Sequence, residues 1–160
     1  THLTLDLSRI NLTRMLEQTL YEFAPMFAEK NLEYSFHAPQ NLEFLCDPDK
    51  LQRVFDNLLR NAVNYSFPDT VIDVRLSVDM GVLTFTVENE GRTIPPEKLE
   101  RIFEQFFRLD SSRGSGGGGA GLGLAIAKEI VELHGGQIFA ESHDNRVIFR
   151  VDLPYSSGNR

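Results

Sequence analysis

Three asparagines, Asn57, Asn61 and Asn64, recur at i, i+4 and i+7 within a stretch whose apolar residues Leu51, Val54, Phe55, Leu58 and Ala62 also repeat at helical spacing. Pro48 opens that helix at its first turn, and it runs to about Tyr65. The asparagines then form one strip between the core side and a solvent side on which Asp56 and Arg60, four apart, are spaced to pair. Asparagine is a poorer helix former than Lys, Glu or Gln, so three in a helix interior cost roughly 1 kcal/mol or more. An amide carbonyl is a hard oxygen donor suited to a Mg2+ ion that keeps most of its water and shares phosphate oxygens. The plainer reading of the strip is a polar flank to a core helix.

A second stretch has phosphate chemistry in its composition. Ser111, Ser112, Arg113, Gly114 and Ser115 lead through glycines 116–119 into Ala120, Gly121, Leu122, Gly123 and Leu124. A glycine run is usually a linker. Here Leu122, Ala125, Ile126, Ile130 and Leu133 continue as a core-facing helix, so the loop is internal to the fold. A glycine-rich segment opening into a helix N-terminus offers backbone N–H groups and a favourable dipole end to phosphate. The segment follows no strand, unlike a dinucleotide fingerprint, and lacks the Gly-Lys-Ser/Thr ending of a P-loop.

The elements that must position these groups form one domain. A chain of 160 residues with 41% hydrophobic composition can bury one core. Its formal charge of −7 argues against a broad nucleic-acid footprint. Cys46, the lone cysteine, provides no intramolecular disulfide and no cysteine-based metal site, and reads as a buried thiol. No apolar stretch approaches the roughly 20 residues that span a bilayer.

Helical spacing covers 12–27, with Asn11 or Thr13 as cap, and returns at 48–65 and 122–134, where Gly135 and Gly136 stop it. Ile102, Phe103, Phe106 and Phe107 suggest a further helix after Pro95 and Pro96. Alternation around Pro39 and Asn41 predicts a hairpin from Tyr34 and Phe36 to Leu42, Phe44 and Cys46. Strands at 71–78 and 82–87 should pair through Met80 and Gly81, and two more close the chain at 137–141 and 147–153. The elements mix without strict alternation. This favours an α+β class, a two-layer α/β sandwich with a mixed sheet covered on one face by helices.

Four segments in order carry a resemblance. Asn57-Leu58-Leu59-Arg60-Asn61-Ala62, Glu90-Gly91 through Ile94-Pro95, Ile102-Phe103-Glu104-Gln105-Phe106 and Gly119-Ala120-Gly121-Leu122-Gly123-Leu124 resemble the N, G1, F and G2 boxes of the ATP-binding catalytic domain of sensor histidine kinases. The resemblance covers nearly the whole chain and implies the Bergerat (GHKL) ATP-binding fold. Residues 1–10 would then connect to absent dimerisation helices, and 108–120 would form a mobile ATP lid.

ATP would lie between the asparagine helix and the glycine loop. Asn61 would be the direct Mg2+ ligand with Asn57 beside it, and Asn64, Tyr65, Asn89, Gly91, Ile94, Gly119, Gly121, Leu122, Gly123 and Leu124 would line the nucleotide site. Hydrolysing relatives carry a glutamate base at the position of Asn57, and an amide cannot take up a proton in that way. Transfer to another acceptor is the implied outcome. Arg108 matches the arginine that reaches the terminal phosphate, and Arg113 is a second candidate.

The chain departs from the family at Asn89 and Thr93, where G1 carries aspartate and glycine, and at Asn64, commonly a lysine. In the family the aspartate accepts from the exocyclic amine of adenine. Asn89 can still accept, without the charge, so ATP affinity should fall on the order of fivefold. Asn89 can also donate, so discrimination against guanine should weaken. Asp144, Asn145 and Arg146 replace a Gly-x-Gly before the last strand, a change expected to affect a hairpin and not the chemistry.

His2, His37, His134 and His143 lack the surroundings of a phosphoacceptor; His134 ends a helix, where a cation would suit the dipole. The acceptor histidine is therefore expected on a separate dimerisation domain, with a response regulator receiver as second partner. The implied setting is the cytoplasmic part of a membrane sensor kinase, the isolated chain being a monomer without nucleic-acid or membrane contact. The alternative is a degenerate, non-catalytic docking module of the same fold.

Overall fold

The computed structural model of the chain describes residues 4–107 and 120–156. The elements run β1 (Ser8–Asn11), α1 (Leu12–Glu29), β2 (Glu33–His37), β3 (Glu43–Cys46), α2 (Pro48–Tyr65), β4 (Val71–Asp79), β5 (Val82–Glu90), α3 (Pro96–Leu99), α4 (Ala120–Leu133), β6 (Gln137–His143) and β7 (Arg146–Pro154). The helix starts follow from side-chain caps: Asn11 accepts from the Arg14 N–H at 2.9 Å and Asp47 from the Lys50 N–H at 3.1 Å. The Met80-Gly81 turn closes the β4–β5 hairpin with both residues at positive φ, as a two-residue connection requires.

A mixed sheet in the order β2-β4-β5-β7-β6 has one parallel pair, β2 with β4, the remaining pairs being antiparallel. Leu83, Phe85, Val87 and Asn89 of β5, like Val147, Phe149, Val151 and Leu153 of β7, are buried, while the residues between them are partly exposed. Helices α1, α2 and α4 pack together over the buried face. The Phe55 ring of α2 meets Phe85 of β5 at 4.6 Å, fixing the asparagine helix to the sheet centre. This is the α+β two-layer sandwich expected from the sequence. Cys46 is fully buried, and burial pushes its thiol up to about 12.

Two local expectations are corrected. The Pro39–Asn41 turn closes no hairpin: β3 pairs antiparallel with β1, and β2 pairs parallel with β4. The turn is held instead by the start of α1, where Thr13 Oγ1 donates to Pro39 O at 2.8 Å and accepts from Leu42 N–H at 3.0 Å. Asn41, at φ 50°, directs the chain away. Strand β1 begins within residues 1–10, the segment expected to be a connection.

The helix expected around 102–107 is absent. After the single turn of α3, N–H groups of Arg101, Ile102, Glu104 and Phe107 reach carbonyls three residues back, and Phe106 sits at φ 67°. Ile102 is buried and Phe103 packs edge-on against Phe149 at 6.0 Å, whereas Phe106 is 74% exposed. Phe107 lies under the Arg101 guanidinium.

Candidate functional site

The C-terminal half of α2 ends against the loop that follows β5, and a cavity of about 390 Å3 opens between them. Asn61, Asn64, Tyr65, Ser66 and Phe67 form one wall; Arg92, Thr93, Ile94 and Pro95 form the other, with Lys98 of α3 and Val147 of β7. None of these lining residues is acidic and two are cationic, so the cavity favours an anionic occupant although the chain as a whole carries −7.

Along the asparagine strip the three amides meet different surroundings. Asn57 is half-buried and its Nδ2 donates to Gly123 O at 3.1 Å, joining α2 to the first turns of α4. Asn61 is 5% exposed, and its Oδ1 is buried without a hydrogen-bond partner among the described residues. Asn64 is exposed at the cavity mouth. The expected Asp56–Arg60 pair does not form: Asp56 accepts from Gln52 Nε2 at 3.0 Å, and the Arg60 guanidinium lies 5.7 Å over the Phe23 ring.

A buried carbonyl oxygen without a donor is expensive, of order 1–3 kcal/mol. On a residue that lines a cavity, a cation is one partner that would relieve it. Asn61 lines that open volume, and a hard amide oxygen is the kind of donor that fits Mg2+, which keeps several waters and takes its remaining ligands from phosphate. Asn61 Oδ1 therefore fits the ion implied by the sequence.

On the sheet side Asn89 is 1% exposed, and its Nδ2 is likewise buried without a partner. It lies across the β5–β7 ladder from Val147, which lines the cavity. Gly91 is required by close approach, because a Cβ there would stand 2.1 Å from Tyr65 O and 3.0 Å from Asn89 Nδ2.

The loop after β5 is anchored by the turn between β6 and β7. Asn145 O accepts from Gly91 N–H at 3.0 Å, Asn145 N–H donates to Thr93 Oγ1 at 2.7 Å, and Ile94 N–H donates to Ser142 Oγ at 2.9 Å. Asp144 and Asn145 both have positive φ, so the turn presents its backbone to the loop. This replacement for the family's Gly-x-Gly thus shapes the cavity wall as well as closing the hairpin, and Thr93 uses a hydroxyl that glycine lacks.

Of the residues predicted for the site, Asn61, Asn64, Tyr65 and Ile94 line the cavity. Asn89 and Gly91 are buried next to its lining residues Val147 and Tyr65. Gly123 faces Asn57, and Leu124 is a core residue at 3% exposure. Gly121 and Leu122 fall in the first turn of α4. Arg108, Arg113 and Gly119 lie outside the described residues.

Sequence reasoning missed the lining roles of Ser66, Phe67, Arg92, Lys98 and Val147. The two cations, Arg92 within the G1 segment and Lys98 ahead of the F segment, were the available signal. His134 also differs from expectation. Its Nε2 accepts from Asp47 N–H at 3.1 Å and its Nδ1 faces Ile130 O at 2.9 Å, which fits a neutral ring with the proton on Nδ1 rather than a cation at the helix end.

Comparison with known proteins gives the family of the chain. Residues 46–157 match the model of the histidine kinase-, DNA gyrase B-, and HSP90-like ATPase family. The chain is 45% identical over 159 residues to the sensor protein VanSC of Enterococcus gallinarum, covering 99% of this chain and 44% of that protein. It is 49% identical over 152 residues to the sensor protein VanS of Enterococcus faecium, covering 95% and 39%. It therefore spans less than half the length of these relatives.

Among solved structures, the catalytic domain of histidine kinase ThkA superposes with a TM-score of 0.83 at 26% identity, covering 94% of this chain and 96% of that one. ThkA in complex with the response regulator protein TrrA superposes at 0.79 with 25% identity, covering 96% and 43%. With the family model matched across the asparagine helix, both cavity walls and the closing strands, this chain belongs to the histidine kinase-, DNA gyrase B-, and HSP90-like ATPases, in the branch of sensor histidine kinase catalytic domains.

Proposed function

We propose that the chain binds Mg-ATP in the 390 Å3 cavity and passes the terminal phosphoryl group to a histidine on the dimerisation domain of a VanS-like sensor kinase. A response regulator of the kind VanS-type sensors would serve then receives the phosphoryl group, and vancomycin-resistance sensing is the matching biological role. The setting is the cytoplasmic part of a membrane sensor, with residues 1–160 as its catalytic domain. The observation that carries the reading is Asn61 Oδ1, a buried carbonyl oxygen without a partner among the described residues, on a residue lining a cavity whose described lining residues include no acid.

Each residue has a part that its chemistry can perform. Asn61 Oδ1 would hold Mg2+, which when bound would neutralise phosphate charge and polarise the phosphoryl oxygens. Asn57 cannot remove a proton from water, and with its Nδ2 on Gly123 O it keeps α4 against α2 while favouring transfer over hydrolysis. Asn89 meets the base through its amide, and Ile94 and Tyr65 cover it. Asn64, Gly119, Gly121, Leu122 and Gly123 serve the phosphates through amide and backbone groups. Arg108 supports the transferring phosphoryl group, with Arg113 as second cation.

Incubation of the chain with Mg-ATP, a separately produced dimerisation domain and a receiver protein tests the proposal. Acid-labile phosphate on the dimerisation domain, then on the receiver, is the expected result. Nucleotide binding without any transfer would instead support a docking module, and no nucleotide binding would overturn the reading altogether.

A further inference from the structure

The last turn of α2 carries no basic residue, although its carbonyls end at the cavity. A helix C-terminus leaves carbonyls unsatisfied and favours a cation nearby. Here the cation arrives from another helix. Lys30, the C-cap residue of α1, donates through Nζ to Val63 O at 2.8 Å, Ser66 O at 2.9 Å and Asn64 O at 3.1 Å. An ammonium has three protons, and this one places all three on carbonyls of a single four-residue segment. Burial pulls its pKa below the ordinary lysine value, so the site is partly withdrawn from water.

The same segment supplies Asn64, Tyr65 and Ser66 to the cavity wall. Its other polar groups are engaged nearby: Ser66 Oγ donates to Ala62 O at 2.6 Å, and Phe67 N–H donates to Glu90 O at 2.8 Å. Tyr65 O faces Gly91 so closely that no Cβ would fit between them. Around Lys30, its own carbonyl accepts from Asp69 N–H at 3.1 Å, and Asn31 Nδ2 donates to Asp69 Oδ1 at 2.7 Å. The end of α1 therefore grips the turn that leaves the cavity from both sides.

We infer that Lys30 is a positioning residue for nucleotide binding, setting the backbone of residues 63–66 so that Asn64, Tyr65 and Ser66 hold the shape of the cavity wall. It acts through carbonyls and does not touch the ligand. The inference rests on the nucleotide reading above for its functional consequence, and on the three hydrogen bonds alone for its structural one. Replacing the ammonium by a methyl-ended chain removes the Lys30 donor from all three carbonyls and leaves Val63 O with only the long 3.4 Å bond from the Ser66 N–H. Replacing it by a planar guanidinium keeps the charge, but a flat fork cannot address three carbonyls as a tetrahedral ammonium does.

The test compares wild type, Lys30→Met and Lys30→Arg by calorimetric titration with Mg-ADP at 10 °C, each first checked for native circular dichroism. Lys30→Met is expected to weaken binding about tenfold and Lys30→Arg about threefold. Trans-phosphorylation of the dimerisation domain should show a raised KM for Mg-ATP with kcat within about twofold of wild type, the pattern of lost binding without lost chemistry. If Lys30→Met does not fold, the Lys30→Arg titration decides. A folded variant with wild-type affinity and KM overturns the inference, as does a loss confined to kcat. Should wild type itself bind no nucleotide, the functional proposal fails separately. Amide exchange at residues 64–67 in the variants then still reads Lys30: faster exchange there upholds its grip on the segment, and unchanged exchange ends it.

Discussion

At the scale of single residues, two buried side-chain polar atoms lack partners among the described residues: Asn61 Oδ1, on a residue that lines the cavity, and Asn89 Nδ2, across the ladder from the lining residue Val147. Asn61 Oδ1 and Asn89 Nδ2 each represent stability given up in the empty chain, which makes sense where a ligand restores the missing bond. Replacing Asn61 with the isosteric leucine removes an unsatisfied acceptor from the interior. The Asn61→Leu chain without nucleotide should therefore gain about 1 kcal/mol, a Tm rise of roughly 2–4 °C in a thermal melt. A Tm that falls would mean that Oδ1 already has a partner in the empty protein.

The asparagine spacing was readable because a helix converts i, i+4, i+7 into one strip. Which amide would be buried was not readable, since that depends on how α2 rolls against β5 and α4. Arg92 and Lys98 were overlooked for a similar reason: exposed cations have no periodic signature, and only the placement of their loop brings them to the cavity.

At the scale of elements, α2 and the loop after β5 are pressed together where Gly91 meets Tyr65 O. A Cβ at 2.1 Å from a backbone oxygen must displace either the helix end or the strand end, because no flexible side chain can yield. Gly91→Ala should destabilise the chain by at least about 2 kcal/mol, measured by urea unfolding. A loss below about 0.5 kcal/mol, the size expected of an ordinary surface substitution, would show that the junction can relax.

The long elements were legible because each buries one face, and periods of 3.6 or 2 expose that face in the sequence. The pairing of β2 and β3 was not, because a turn signal between two short strands cannot reveal that both have distant partners. Residues 102–107 carry apolar spacing that fits a helix, yet Phe106 takes a left-handed conformation and points into solvent. Local pattern was overridden there by the way Ile102 and Phe103 dock on the sheet.

At the scale of the whole molecule, Asp47 joins three parts of the chain. Its carboxylate accepts from Asp6 N–H at 2.8 Å and Lys50 N–H, and its own N–H donates to His134 at the end of α4. The Asp6 N–H, above the other contacts, holds the Asp47 carboxyl below its ordinary value of 3.8, with Lys50 adding to the effect and burial opposing it. A depressed carboxyl contributes stability above the unfolded pKa and loses it as pH falls through the folded one. Asp47→Asn should accordingly be less stable than wild type at pH 7, with the difference shrinking below about pH 4. Urea midpoints measured from pH 7 to pH 2.5 would check this, and a gap constant across that range would contradict it.

The central claim is that the cavity takes a nucleotide through magnesium on Asn61. Calorimetric titration of ADP with and without Mg2+, into wild type and into Asn61→Leu, tests it most directly. The account predicts that Mg2+ tightens binding at least about tenfold in wild type and by less than about twofold in the variant. An equal gain from Mg2+ in both chains would contradict it.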